Sequence, residues 1–247
     1  MTPRRRRRAL RRRHRFDRWM AAHPSAYAGL VVLTAVVVLG LFVDLPLALF
    51  LREATPGWLR HVLDVIGELG RAEGWVAGAI LLYLLGLWAR RYDADWLTEQ
   101  ALRSGRYCLL LLAGLAATGA LIHLIKALVG RSRPSIFFDE GLYTLGRVAA
   151  GWPMESFPSG HTQVAVTVAA VLALAWPSWR LLAYALAALV ALSRLTTGAH
   201  FLSDVLASAF LCWLSVHLLA PLFLDPRRRW VEQTPLGWYR SLRGSRR

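Results

Sequence analysis

Apolar residues gather into long runs along most of the chain, divided by short polar stretches. Runs near 27–49, 74–89, 107–129, 162–176, 180–197 and 201–224 predict six helices. A bilayer core takes about 20 mostly apolar residues per helix. The pattern therefore reads as an all-α, polytopic membrane protein with six transmembrane helices. The second and fourth runs fall at or below the lower length limit, so their ends must extend into less apolar sequence or be shielded by neighbouring helices. The stretches 50–73 and 130–161 read as loops on one side, nearly balanced in charge. Within the second, 130–157 is the longest irregular stretch of the body and reads as a lid or substrate-access element. No period of 20–50 residues marks a repeat array.

Composition agrees: 56% of residues are hydrophobic and 18% charged, a membrane profile. The net charge of +15 would point to nucleic acid if it covered the body. It does not. Residues 1–25 hold ten arginines and one acid, residues 225–247 seven arginines and two acids, and residues 26–224 thirteen basic and twelve acidic groups. The chain thus divides into basic tails, 1–25 and 225–247, around a six-helix body, 26–224. Arginine clusters beside membrane helices fix topology and attract anionic lipid, which places both tails in the cytoplasm. No motif with interleaved aromatics accompanies them, so the expected partner is the bilayer and not nucleic acid. The basic and then apolar N-terminus resembles a signal peptide. However, no small-residue cleavage site follows, and the apolar stretch ends at Asp44 and Pro46, so an uncleaved first helix is expected. Trp58, Trp75, Trp88, Trp152, Trp176 and Trp179 stand near predicted helix ends, as an interfacial belt would. Cys108 and Cys212 lie in apolar runs and read as small packing residues.

Lys126 is the only lysine among 30 basic residues, and it stands near the end of an apolar run. An ammonium is costly at membrane depth and marks function there, and its point charge differs from a planar guanidinium. Arg133-Pro134 follows, then Pro158-Ser159-Gly160-His161, then Ser193-Arg194 with His200 and Asp204. On the six-helix map all of these fall at the outer face. His200 and Asp204 are four apart and share a helix face; a carboxylate there can accept from one ring nitrogen and leave the other free to attack. His161 follows Ser-Gly at a helix start, where free N–H groups favour an anion, and Gly160 lets the backbone approach it. Lys126, Arg133 and Arg194 add three positive charges. Two histidines among cations fit phosphoryl transfer, whose transition state spreads charge over the equatorial oxygens. His123, three residues before Lys126, reads as packing, and Asp139 and Glu155 read as exposed loop charges.

The blocks K-A-L-V-G-R-S-R-P (126–134), P-S-G-H (158–161) and S-R-L-T-T-G-A-H-F-L-S-D (193–204) resemble the three signatures of the type 2 phosphatidic acid phosphatases. That superfamily also holds vanadium haloperoxidases and bacterial acid phosphatases. The resemblance implies a PAP2-like helical core in which His200 is the nucleophile, Asp204 orients it and His161 protonates the leaving oxygen. Lys126, Arg133, Arg194, Ser159 and the Gly160 N–H would hold the phosphoryl oxygens. It implies no metal and no cofactor. The expected activity is hydrolysis of a lipid phosphate, with undecaprenyl pyrophosphate favoured over phosphatidylglycerophosphate, phosphatidate and lipid A. The site would face the periplasm or exterior of a bacterial inner membrane. A lipid phosphotransferase on the same site, a haloperoxidase, or a non-enzymatic lipid-binding protein are the competing readings.

Overall fold

The computed structural model describes residues 24–89, 95–146, 148, 151 and 154–225, with backbone alone for 89 and 95–103. The arginine-rich tails fall almost wholly outside the described residues, as does Trp152. The described residues form nine α-helices: α1 (Pro24–Phe42), α2 (Asp44–Ala54), α3 (Gly57–Gly67), α4 (Ala72–Ala89), α5 (Asp95–Val129), α6 (Pro134–Glu140), α7 (Gly160–Ala175), α8 (Arg180–Thr196) and α9 (Leu202–Leu224). Short 3-10 turns, Glu68–Gly70 and Pro177–Trp179, precede α4 and α8. No strand occurs among them.

Among the described residues, four segments are long and apolar enough to cross a bilayer: Pro24–Phe42, Ser104–Glu140, Pro177–Thr196 and Leu202–Leu224. Ala72–Trp88 and Gly160–Ala175 are shorter apolar helices. These two correspond to the runs that looked short in the sequence. For α7 the reason is its position. Every residue from Thr162 to Val171 is buried, and a helix apolar on all sides belongs at the centre of a bundle. Its alanines and valines suit that place, because helices in lipid are held by close packing of small residues and not by apolar transfer from water. Ala165, Val166 and Ala169 meet Ala183, Ala187 and Val190 of α8 and Cys212 of α9. Ala170 and Val171 meet Leu110 of α5 and Val216 and Ala220 of α9. Cys108 and Cys212 are both buried free thiols, as packing residues should be.

Three expectations need correction. The first run is not one helix over 27–49: it breaks at Val43, and α2 starts at Asp44. Pro46 has no N–H for the Phe42 carbonyl and its ring crowds that group, and beside this break stands the Asp44 carboxylate, 1% exposed, which a buried position obliges to find partners. It accepts from the Ser203 amide at 3.0 Å and from Arg131 at 2.8 Å, and also from the Ser203 hydroxyl. The stretch 130–161 is not wholly a loop, since Pro134 opens α6 there and Gly141 (φ +69°) ends it, and 50–73 is not one either, since it contains α3. Leu59, Leu63, Ile66 and Gly70 recur at helical spacing; Leu63 and Gly70 are buried, and Ile66 packs on the α7–α8 core.

Candidate active site

Helix ends converge on one end of the bundle. The C-terminal turn of α5 brings Lys126, and the segment after it Arg131 and Arg133. The start of α7 brings Ser159, Gly160 and His161, the end of α8 brings Arg194, and the turn into α9 brings His200 and Asp204. Two glycines make the tight turns. Gly130 (φ +53°) ends α5, and Gly198 (φ +68°) folds the chain back so that the amides of Ala199 and His200 both donate to the Arg194 carbonyl at 3.1 Å. Left-handed backbone at these positions is strained for any residue with a side chain. The α3 segment closes over the cluster. A Cβ on Gly67 would come within 2.0 Å of Arg194 Nη2, and one on Gly70 within 2.8 Å of His161 Cβ.

His200 is 3% exposed, and its Nδ1 lies 2.7 Å from the Ser156 carbonyl oxygen. A carbonyl can only accept, so Nδ1 carries the proton and the lone pair sits on Nε2. Asp204 Oδ2 is 3.8 Å from Nδ1, too far for the direct hydrogen bond expected from the i, i+4 spacing. That carboxylate is filled from elsewhere: the Phe201 amide donates at 2.8 Å, the Ser156 hydroxyl at 2.6 Å and Arg131 at 2.7 Å. Ser156 thus serves both groups, its carbonyl fixing the imidazole and its hydroxyl the carboxylate. Burial pushes the His200 pKa below the ordinary histidine value, Asp204 opposes that shift, and Arg133 and Lys126 reinforce it.

The remaining residues surround His200. His161 is half-buried and within electrostatic reach of Arg194, His200, Arg71 and Arg133. Lys126 is 7% exposed, and its Nζ donates to the Glu155 carbonyl at 2.7 Å. Arg133 donates through Nη1 to the Ala199 carbonyl at 3.4 Å, while its Nε is buried with no hydrogen-bond partner. A buried unpartnered donor is costly, and an anion would satisfy it. Arg194 is held by Ser193 at 2.9 Å and by Asp64 of α3 at 2.8 Å. A Cβ on Gly160 would meet nothing within 4 Å, so open ground lies before this backbone. Ser159 differs from expectation: fully buried, its hydroxyl oxygen accepts from the Thr162 amide and hydroxyl and so caps α7. His123 is exposed and does not share the buried side of α5 with Lys126.

Sequence reasoning passed over Arg131, Asp44, Ser156 and Asp64. Arg131 stood inside the first block, but spacing does not reveal which of two arginines two residues apart turns inward. Asp44 looked like the polar end of a membrane run. Apart from the site, a cavity of about 970 Å³ lies between α4, α5 and α7, walled among others by Trp75, Leu82, Tyr107, Leu111, Leu172 and Trp176; it meets the C-terminal part of α7 and none of the candidate site residues.

The sequence profile of the PAP2 superfamily matches residues 107–228. A lipid A 1-phosphatase of Rhizobium johnstonii is 30% identical over 188 residues, which cover 75% of this chain and 76% of that protein. The chain belongs to the PAP2 superfamily. A lipid A 1-phosphatase of Rhizobium etli is likewise 30% identical, over 75% of this chain and 80% of its own. The crystal structure of a transmembrane PAP2-type phosphatidylglycerolphosphate phosphatase from Bacillus subtilis shares the fold, with a TM-score of 0.59 at 20% identity over 83% of this chain and 98% of that one. Membership in the PAP2 superfamily together with relatives that are lipid A 1-phosphatases makes this protein a phosphatase, and its apolar helices make it an integral membrane one.

Proposed function

We propose that this PAP2 protein hydrolyses a lipid phosphate through a phosphohistidine on His200, at the non-cytoplasmic face of a bacterial inner membrane. The observation that carries the mechanism is the bond from His200 Nδ1 to the Ser156 carbonyl. It leaves the Nε2 lone pair free beside His161, Lys126 and Arg133. Nε2 attacks phosphorus, the bond from phosphorus to the leaving oxygen breaks, and His161 gives that oxygen its proton. Water then attacks the phosphohistidine, His161 takes the water's proton, and phosphate departs from Nε2. Lys126, Arg133, Arg194 and the Gly160 N–H hold the phosphoryl oxygens as charge shifts among them. Ser159 supports this pocket through its cap on α7, and Asp204 stabilises the imidazolium.

The apolar helices that lodge the protein in a bilayer support a substrate that is itself a membrane lipid. The two relatives that share three quarters of the chain act on lipid A, which favours a glycolipid phosphate of that type. Undecaprenyl pyrophosphate is the competing substrate, with phosphatidylglycerophosphate and phosphatidate behind it. The two shorter apolar helices together with the four longer ones support six crossings. Six crossings would leave both basic tails, 1–25 and 225–247, in the cytoplasm with the body 26–224 between them.

Purified protein in detergent, given each of these lipids in turn, tests the reading. The expected result is phosphate release in the presence of EDTA, blocked by vanadate, and fastest on the lipid A 1-phosphate group. An added acceptor lipid separates hydrolysis from transfer. Absence of release from every lipid, or undiminished release by His200→Ala, overturns the proposal.

A further inference from the structure

Arg131 is only two residues before Arg133, yet it has a different place. It is 4% exposed and enclosed by protein groups. Nη1 donates to Asp204 Oδ1 at 2.7 Å and to the Ser203 hydroxyl at 2.7 Å, and Nη2 donates to Asp44 Oδ2 at 2.8 Å and to the Tyr143 hydroxyl at 3.0 Å. Its guanidinium carbon stands 4.2 Å from the centre of the Phe201 ring. One cation is therefore shared between two fully buried carboxylates, one at the start of α2 and one at the start of α9. Ser203, the residue before Asp204, fastens Asp44 to the start of α9, since its amide and its hydroxyl both donate to Asp44.

We propose that Arg131 and Asp44 are positioning residues for phosphoryl transfer, acting through Asp204 to set its distance and its effective charge at His200. This rests on the reading of His200 as the nucleophile. Asp204 Oδ1 is held by Arg131, and Oδ2 by the Phe201 amide and the Ser156 hydroxyl. Those bonds keep the carboxylate 3.8 Å from Nδ1, so the ring proton stays on the Ser156 carbonyl. At that distance the anion still stabilises the positive imidazole that forms when Nε2 attacks phosphorus. Asp44 matters because it draws on the same guanidinium. Without its charge, Arg131 bears on Asp204 alone and neutralises the anion that His200 needs. Arg131 itself demands two parallel bonds to separate carboxylates, which a planar fork makes and a point ammonium does not. The charged groups that face His200 directly are Asp204, Lys126, Arg133 and His161, from four different segments. The pair Arg131 and Asp44 stands behind the first of these.

The test uses full-length protein with a lipid A 1-phosphate in detergent micelles, comparing wild type with Asp44→Asn, Arg131→Lys and Tyr143→Phe. Asp44→Asn and Arg131→Lys should lower kcat about tenfold or more while KM stays within about twofold, as for misplacement of a reacting group. In Asp44→Asn the acid limb of the kcat/KM profile should move to lower pH, because the imidazolium loses its anion. A merely structural role would lower the yield of folded protein and leave that limb in place. Tyr143→Phe removes one hydroxyl from Arg131 and keeps the fold in reach should the charged variants fail to insert. Its kcat should fall about threefold, the scale of one lost hydrogen bond. Wild-type kcat and acid limb in Asp44→Asn and Arg131→Lys, or in Tyr143→Phe where those do not fold, overturn the inference. So does a rise in KM at unchanged kcat. Activity retained by His200→Ala instead refutes the reading beneath it.

Discussion

At the scale of single residues, the site separates charges that must move from charges that must not. Lys126 keeps its ammonium against the Glu155 carbonyl at 2.7 Å. A guanidinium is longer, planar and forked. Lys126→Arg should therefore lose activity, by about a hundredfold in kcat/KM for a donor aimed at developing charge, in a steady-state assay on a lipid phosphate. His200 provides a pH test. Burial holds its pKa below the ordinary histidine value, which is about 6.5. The neutral, attacking form then persists as pH falls through neutrality, and the acid limb of kcat/KM should lie below about 6.5. A limb at or above the ordinary histidine value would contradict the assignment. Asp204→Asn removes the group that opposes the shift, so it should move the limb further to the acid side.

At the scale of elements, α3 is the part that closes the site, and its glycines are the means. Gly67→Ala puts a methyl where Arg194 Nη2 and Ser193 Oγ already stand, 2.0 and 2.6 Å from the added carbon. The guanidinium must leave its place, so catalysis should fall by about a hundredfold, as for loss of one transition-state donor. Thermal stability should change far less, because Arg194 sits at a helix end and not in the apolar core; equal losses of both would argue against a local effect. The sequence made some of this legible. The three blocks gave Lys126, Arg133, His161, Arg194, His200 and Asp204 their convergence at one end, because helix direction follows from the order of the runs. α3 was lost because Leu59, Leu63, Ile66 and Gly70 form a short amphipathic pattern among charges, which hydropathy runs average away. Asp44 and Arg131 were lost for another reason. A buried ion pair is defined by its partner, and here the partners lie 87 positions apart. The role of Ser156 rests on a backbone carbonyl, which no side-chain pattern reports.

At the scale of the whole molecule, charge and chemistry occupy different parts of the chain. The body from 26 to 224 is close to neutral and holds the whole candidate site, whereas in the proposed topology the arginines of 1–25 would serve membrane orientation. Deleting residues 2–18 should leave kcat/KM within about twofold in correctly inserted protein, since surface charge steers association more than chemistry. A collapse of turnover in inserted protein would mean that the tail takes part in the site. The most direct measurement is to trap the enzyme during turnover of a lipid labelled in its phosphate, quench in alkali, and map the labelled residue by mass spectrometry. The account predicts phosphate on a nitrogen of His200 in wild type and none in His200→Ala. Label on another residue, or a His200→Ala enzyme that still turns over and carries label, would contradict it.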